Sequence, residues 1–293
     1  MRRIHAFELE DQPWLPRVIR DYATDFLQFM LERGEAYGPT APLIARALET
    51  CGTHRIVDIG SGGGGPWFRL LEQVEAERPG AEVLLTDRYP SREAIERVRR
   101  RSGDRLRYHS DPVDAMRMPE ELVGFRTLFT ALHHFRPEEV RAILGDAVRK
   151  GQGIGAFEFS ERSARGVLMT VVSPLLVLLV TPWIRPFRWS RLLWTYLVPV
   201  VPLVVLWDGV VSSLRSYTPQ EMEAMARGAG GEDYRWEVGQ VRGRAPIPVT
   251  YLLGWPTPAR HASSPSAGGS AAEATELAPG TGVQAPGPGA YGP

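Results

Sequence analysis

The 293-residue sequence predicts an α/β fold built around a doubly wound, mostly parallel sheet. Three observations predict it. A short apolar strand runs directly into a cluster of glycines and a helix, short apolar strands then alternate with amphipathic helices, and two alternating strands late in the chain can pair as an antiparallel hairpin.

The first strand and the glycine cluster, residues 56–65, read Ile-Val-Asp-Ile-Gly-Ser-Gly-Gly-Gly-Gly. The cluster fits the dinucleotide pattern GxGxxG over 60–65 and the pattern DxGxGxG over 58–64. A helix is predicted over about 67–77, so unpaired backbone N–H groups and the positive end of the helix dipole face the ligand. These features predict a cofactor site, and the two patterns predict different cofactors.

Predicted elements flank this cluster on both sides. Two or three helices are predicted over residues 12–50, where apolar side chains recur at helical spacing: Trp14, Val18, Tyr22, Phe26, Phe29 and Met30. After the cluster, the apolar run 81–87 ends in Asp87, an acidic residue that both cofactor interpretations require for the ribose hydroxyls. A further segment follows over 107–119, and a buried strand over 127–132 leads into two histidines.

The second half of the predicted sheet begins with a helix over 137–149, which has a proline and two acidic residues in its first turn. A strand over 154–159 follows. Later, Thr218 and Glu221 form a capping-box pattern for a helix ending near residue 226. Residues 234–241 and 249–255 then alternate as two strands that predict the antiparallel hairpin.

Five successive motifs resemble those of the class I S-adenosylmethionine (SAM) dependent methyltransferases: VDIGSGGGG, LLTD, VDAMRMP, TLFTALHHF and GIGAFEF. The resemblance covers about residues 55–255, with one insertion. It implies a Rossmann-like, seven-stranded sheet with a C-terminal antiparallel hairpin, SAM as the cofactor, and an N-terminal helical segment over the cofactor. The cofactor-binding residues that it implies are Asp58, Gly60, Ser61, Gly62, Gly64, Asp87, Asp114, Ala115 and Thr130.

Two of these acidic residues have simpler interpretations. In the methyltransferase interpretation, Asp58 supplies a negative group near the ammonium or sulfonium of SAM. The alternative is a carboxylate that only caps N–H groups at the end of its strand. Asp87 is alternatively a turn residue before Arg88, Tyr89 and Pro90.

The implied reaction is an in-line attack by a substrate O, N or C nucleophile on the methyl group of SAM. SAM already carries a good leaving group, so the protein aligns the reactants and supplies a base only for a protonated nucleophile. His133 and His134 follow a central strand at the edge where such sheets bind ligands, so one of them is the candidate base. Glu158 follows the next strand and is a candidate to orient a histidine or the substrate. The alternatives are pocket-wall and packing roles.

The absence of one motif narrows the class of methyl acceptor. The fourth strand ends in Thr-Ala-Leu-His-His and not in the Asp/Asn-Pro-Pro-Tyr/Phe of enzymes that methylate the amino groups of bases. A small-molecule or lipid acceptor is therefore expected. The formal net charge is zero, which predicts no nucleic-acid partner.

Composition also bears on the cell compartment and on metals. Cys51 is the one cysteine in the sequence, so no disulfide framework or thiolate metal cluster is expected, and a reducing cytoplasm is the predicted location. The first ten residues have no apolar core typical of a signal peptide. No metal site is predicted, because the two histidines are adjacent and no carboxylate stands at a known ligand spacing from them.

The insertion is strongly apolar. Residues 166–184 carry no charge, and a second apolar run spans 192–207, with three arginines between the two runs. Three interpretations remain open: a lid over a lipophilic substrate or an oligomer interface, an interfacial element on a membrane, and a membrane hairpin. The arginines in the connecting loop disfavour the hairpin, because SAM is cytosolic and positive loops stay on the cytosolic side. Five prolines are expected to break any long helix here: Pro174, Pro182, Pro186, Pro199 and Pro202.

Two other functional classes remain as alternatives. A nicotinamide-dependent oxidoreductase would use Gly60, Gly62, Gly65 and Asp87, but Lys150 has no tyrosine at a recognised spacing. A non-catalytic, membrane-associated protein of the same fold would explain the insertion. The predicted organisation is a helical cap over 1–50, a cofactor-binding core over 51–163, the apolar insertion over 164–212, the last helix and hairpin over 213–255, and a disordered tail over 256–293.

Overall fold

The computed structural model describes residues 1–231, 233–243 and 247–257. Within them, seven strands form one sheet. The strands are β1 (Arg55–Ile59), β2 (Glu82–Thr86), β3 (Leu106–Tyr108), β4 (Phe125–Phe129), β5 (Ile154–Glu158), β6 (Tyr234–Val241) and β7 (Val249–Pro256). Most of the predicted tail lies outside the described residues.

The strand order in the sheet is β3-β2-β1-β4-β5-β7-β6. The first five strands are parallel, and β7 pairs antiparallel with both β5 and β6. The predicted fold class and terminal hairpin are therefore confirmed. The order reverses at β1, so the carboxyl ends of β1 and β4 flank a crevice where open α/β sheets bind their ligands.

The helices within the described residues surround this sheet. They are α1 (Arg17–Gly34), α2 (Ala41–Thr50), α3 (Trp67–Glu77), α4 (Arg92–Arg101), α5 (Pro137–Arg149), α6 (Ala164–Val180), α7 (Trp189–Leu192), α8 (Val200–Arg215) and α9 (Pro219–Arg227). The capping box of α9 is present, with Thr218 Oγ1 accepting from Glu221 N. Two apolar cores, one on each face of the sheet, bury β1, β4 and β5 completely or nearly so.

Two details of the helical prediction are wrong. Trp14 precedes α1 and is 64% exposed, whereas Tyr22 and Phe26 are buried as expected. Pro174 does not break a helix, since it lies inside α6, which is continuous over 17 residues. The breaks come later, over 181–188 and at Val198 and Pro199, and the predicted boundary of the insertion at residue 212 falls inside α8.

The insertion packs against the N-terminal helix. Helix α8 lies along α6 and α1, and a third apolar cluster joins Tyr22 and Phe26 of α1 to Val177 of α6 and Val204 of α8. Residues 164–183 are long and apolar enough to cross a membrane. Only 17% of their most apolar window is buried within the protein. The second apolar stretch is bent by 71° between its two helical parts.

An N-terminal strap, residues 3–11, crosses the carboxyl edge of the sheet. Arg3 Nη2 donates to the carbonyl oxygens of His133 and Phe135. The backbone N–H groups of Leu9 and Glu10 donate to the Asp208 carboxylate of α8 at 2.5 and 2.9 Å. The strap therefore connects the end of β4 to the insertion.

Candidate active site

The glycine cluster forms a tight loop between β1 and α3. Gly60, Gly62, Gly64 and Gly65 all have positive φ angles, from +50° to +120°, which side chains with a Cβ rarely adopt. A Cβ added to Gly64 would lie 2.7 Å from the Phe68 ring. A Cβ added to Gly62 would meet no atom within 4 Å, so a ligand could approach this backbone directly.

Asp58 lies beneath the loop and is 1% exposed. Its carboxylate accepts hydrogen bonds from Ser61 Oγ and Thr127 Oγ1, each at 2.6 Å. Burial raises the pKa of Asp58 to about 6, although these hydroxyls oppose the rise. Asp58 and Ser61 thus fix the loop from below, a role that neither interpretation of Asp58 from the sequence anticipated.

Asp87, at the end of β2, lies beside the same loop. Its two carboxylate oxygens accept from the backbone N–H groups of Gly62, at 2.9 Å, and Tyr89, at 2.8 Å. Tyr108 of β3 donates to the Gly62 carbonyl oxygen at 3.0 Å. Asp87 therefore has the predicted turn role and also contacts the glycine loop, and each of its carboxylate oxygens keeps a second lone pair.

The other predicted cofactor residues reach the same edge of the sheet. Val113 N donates to the Asp87 carbonyl oxygen, which places exposed Asp114 and buried Ala115 next to the end of β2. Thr130 follows β4 with φ +47°, an uncommon conformation for a β-branched residue. A hydrogen bond between its hydroxyl and that of buried Tyr37 holds it there.

Helix α1 covers the glycine loop from the other side. Buried Gln28 donates to the Gly65 carbonyl oxygen at 2.9 Å. A Cβ at Gly63 would approach Arg97 Nη1 and Thr24 Cγ2 within 3.5 Å. The expectation that the N-terminal helices pack over the predicted cofactor loop agrees with this geometry.

His133 and Glu158 meet at the ends of β4 and β5. Both are buried, and Nδ1 of His133 lies 2.6 Å from Oε2 of Glu158. Burial alone would raise the pKa of Glu158, but His133 and the Leu132 N–H hold that pKa below its ordinary value. An ionised Glu158 accepts a hydrogen bond from Nδ1–H, so Nε2 is the ring nitrogen of His133 that faces the rest of the site. The hydroxyl of Ser212 on α8 lies 2.9 Å from Nε2.

His134 has a different environment. Its ring nitrogens lie 3.6 Å from Glu8 and 3.5 Å from Asp11, and Arg215 forms ion pairs with both acidic residues. Burial lowers the pKa of His134, but Asp11 and Glu8 outweigh it and raise that pKa to about 9. The raised pKa favours the protonated form of His134 at neutral pH, so His133 is the better candidate for the base.

The strap brings a carboxylate to the two histidines, although none stands at a known ligand spacing from them in the sequence. Glu8 lies between His133 and His134, and the ligand atoms of the three residues are within 4.8 Å of one another. Arg215 Nη1 is 2.9 Å from Glu8 Oε1. A guanidinium thus already balances this carboxylate.

An apolar groove lies between the strap and the outer face of α8. It has a volume of about 480 Å³ and is lined by Phe7, Leu9, Leu203, Leu206, Trp207 and Val210. Glu8 lies between two of these residues in the chain, and its carboxylate is 3.7 Å from His133 Nε2. A separate cavity of about 750 Å³ lies by Met118 and Lys150, at the amino ends of β4 and β5, away from this site.

Sequence reasoning missed the residues that the strap and α8 contribute. Glu8, Asp11, Ser212 and Arg215 lie far in sequence from the motifs, and no spacing rule connects them to His133. The one available signal was the interruption of the apolar insertion by polar residues from Asp208 onward.

Comparisons with known proteins give no sequence match, since no family model and no curated protein matches the chain. Among solved structures, similarities include a Nostoc punctiforme protein provisionally assigned as an O-methyltransferase, with 17% identity, a TM-score of 0.46 and coverage of 86% of this chain and 64% of that one. Human N-acetylserotonin methyltransferase with SAM has 16% identity and a TM-score of 0.47, with coverage of 80% of this chain and 57% of that one. PigF with SAH has 19% identity and a TM-score of 0.48, with coverage of 84% of this chain and 63% of that one.

This chain spans less than two thirds of the length of each of these three proteins. With TM-scores below 0.5, the similarities add nothing to what the strand order establishes. The order itself, with its terminal antiparallel hairpin, is the fold of the class I methyltransferases that the sequence motifs predicted.

Proposed function

We propose that the protein is a SAM-dependent methyltransferase acting on a small, lipophilic acceptor. The observation that carries the proposal is the position of the His133–Glu158 pair, at the same sheet edge as the glycine loop. Bound SAM supplies an electrophilic methyl group on a sulfonium. Asp58, Asp87 and the loop glycines fit this cofactor, because the loop backbone is approachable at Gly62 and two carboxylates flank it.

His133 is proposed as the general base for a hydroxyl or amine of the acceptor. Glu158 holds Nδ1 and thereby directs the lone pair of Nε2 toward Ser212 and the strap. An ionised Glu158 also stabilises the imidazolium that forms when Nε2 takes a proton. Since His133 is 1% exposed, we propose that the acceptor displaces Glu8 or Ser212 from Nε2 when it binds.

The apolar groove supports the lipophilic character of the acceptor. Phe7 and Leu9 of its lining are the neighbours of Glu8 in the strap, so an acceptor that displaces Glu8 from His133 would meet apolar side chains of the strap. We also propose that the protein works in the cytoplasm, at the membrane face that such acceptors occupy.

The proposed function is tested by transfer of radiolabelled methyl groups from SAM to solvent-extracted lipids and to an aqueous metabolite fraction. We expect label to enter an organic-extractable product with the wild-type protein and not with His133→Gln. Label confined to water-soluble products would refute the lipophilic acceptor. No transfer to either fraction by a protein that binds SAM would refute the activity.

The oxidoreductase alternative receives no support from the position of Lys150. Its ammonium group contacts the Met118 carbonyl oxygen and Asp146 at the amino ends of the strands, opposite the glycine loop. A lysine there cannot take part in hydride transfer at the cofactor. The non-catalytic alternative does not explain why His133 is held by a buried carboxylate.

Replacing Asp87 with Ala should weaken SAM binding by about 1–3 kcal/mol, because it removes hydrogen bonds to the ribose and leaves Gly62 N–H without its acceptor. Calorimetric titration measures the change. Asp104→Ala serves as the matched control, since Asp104 is exposed, precedes the amino end of β3, and forms no side-chain hydrogen bond or salt bridge among the described residues. Equal affinities for the wild-type and Asp87→Ala proteins would refute the ribose role.

The affinity for SAM should fall as the pH drops from 7 to 5, because Asp58 has a pKa of about 6 without ligand. A cationic ligand favours the ionised carboxylate and lowers its pKa. The affinity for SAM is therefore highest above the pKa of the free protein, about 6, and decreases as the carboxyl gains a proton. Asp58→Asn should bind more weakly and lose this pH dependence. A wild-type affinity that is constant over this range would show that Asp58 does not sense the cofactor.

A further inference from the structure

The insertion carries an apolar surface that the rest of the protein leaves uncovered. On α6 the exposed side chains recur at helical spacing and share one face: Leu168, Val172, Leu175 and Leu179, with exposures from 40% to 64%. The following segment, residues 181–199, adds exposed aromatic and aliphatic side chains. These include Trp183 at 60%, Phe187 at 41%, Trp189 at 78% and Leu197 at 76%.

The charges within the insertion have one sign. No acidic residue occurs between Glu161 and Asp208. Arg165, Arg185 and Arg188 are exposed, and none of them forms a salt bridge within the described residues. Apolar side chains with tryptophans and unpaired arginines at their border match the interface of a bilayer that contains anionic lipids.

The position of Arg191 distinguishes a chain that lies on a membrane surface from one that spans the membrane. Arg191, between the two apolar runs, is 2% exposed and bonds Asp25 of α1 at 2.5 Å. Tyr22 of α1 also bonds Ser190 at 2.5 Å. Since α1 contacts the glycine loop, the tip of the insertion lies on the same side as the cofactor site. A spanning hairpin would place that tip across about 30 Å of hydrocarbon.

We infer that the outer face of α6 and residues 181–199 form a docking surface for an anionic lipid bilayer, with the chain lying on the membrane and not crossing it. This inference does not depend on methyl transfer. Arg185 and Arg188 bind lipid phosphates, and the leucine and tryptophan side chains enter the boundary between headgroups and acyl chains.

The test is co-sedimentation of the full chain with vesicles, without SAM or acceptor. We expect binding to an equal mixture of phosphatidylcholine and phosphatidylglycerol. Leu175→Glu and Leu179→Glu should each reduce the partition coefficient at least about tenfold. Val123→Glu is the matched control, because Val123 is 56% exposed but lies before β4, away from the insertion, and we expect it to bind as the wild type does.

The arginines are tested separately. Arg185→Ala and Arg188→Ala should each weaken binding to the anionic vesicles about fivefold and leave binding to pure phosphatidylcholine unchanged. Arg99→Ala on α4 is the control for lost surface charge. Brominated lipids should quench tryptophan fluorescence more strongly in the wild type than in the Trp183→Phe/Trp189→Phe variant.

Several results would overturn the inference. Wild-type protein that remains in the supernatant with both vesicle types would do so, as would equal binding of Leu175→Glu and the wild type. A dimer in detergent-free buffer that Leu175→Glu dissociates, together with no vesicle binding, would assign the surface to a second copy of the chain. Circular dichroism of each variant excludes misfolding as the cause of lost binding.

Discussion

Replacing His133 with Gln should lower kcat by about 10²–10⁴-fold, the range that a positioned general base contributes. Gln keeps the approximate size and polarity of the side chain but cannot take up a proton. The affinity for SAM should stay unchanged, because His133 bonds to Glu158 and Ser212 and to no part of the glycine loop. Single-turnover kinetics with saturating SAM, beside calorimetry, separates the two effects.

The neighbouring residues supply controls for this result. Glu158→Gln should also lower kcat and should shift the pH–rate profile, because the amide holds Nδ1 without charge, whereas Glu158→Asp should restore part of the rate. His134→Gln should affect turnover much less, since His134 is already protonated near neutral pH. If His134→Gln abolishes turnover and His133→Gln does not, the assignment of the base is wrong.

Replacing Asp25 with Ala should decrease the free energy of unfolding by about 3–5 kcal/mol, the usual effect of removing one partner of a buried ion pair. Asp25 is 8% exposed and bonds Arg191 at 2.5 Å and Arg97 at 3.1 Å. Without it, the hydrogen-bond acceptors that the buried guanidinium of Arg191 keeps among the described residues are the carbonyl oxygens of Ile184 and Pro186. Urea denaturation followed by circular dichroism measures the loss.

Asp21→Ala is the matched control for this prediction. Asp21 lies one turn earlier on α1, and none of its contacts within the described chain is a salt bridge. It should change stability by no more than about 0.5 kcal/mol. If Asp25→Ala is as stable as Asp21→Ala, the buried pair does not attach the insertion to the N-terminal helix.

The core of the fold was predictable because its signals are local. The sequence limits of α3 and α5 match the structure, since apolar periodicity defines each helix and a proline begins α5 at its first residue. The hairpin of β6 and β7 was equally clear from alternation. Strand β3 has only three residues, too few for any pattern, so its sequence gave no separate indication of a strand.

The site could be predicted only in part, for a physical reason. Residues that end parallel strands meet at one edge of the sheet, and this brought Asp58, Asp87, His133 and Glu158 together as expected. The strap and α8 reach the same edge through tertiary contacts, such as the ion pair of Glu8 with Arg215. No sequence period connects residues 207 positions apart, so Glu8 and Arg215 could be found only in the folded chain.

Pro174 illustrates the opposite error. An isolated proline inside a helix removes one backbone donor and is expected to end the helix. Here α6 is nevertheless continuous through it, and Val177, three residues later, packs against α1 and α8. The preference of one residue did not decide this element, which is where reasoning from sequence alone is weakest.

The most direct test of the account is calorimetric titration of the purified protein with SAM, S-adenosylhomocysteine and NADH in parallel. We expect binding of both adenosyl ligands and none of NADH, and loss of that binding in Gly64→Val, whose added side chain would enter the Phe68 ring. Binding of NADH alone, or of none of the three ligands, would contradict the assignment of this sheet edge as a SAM site.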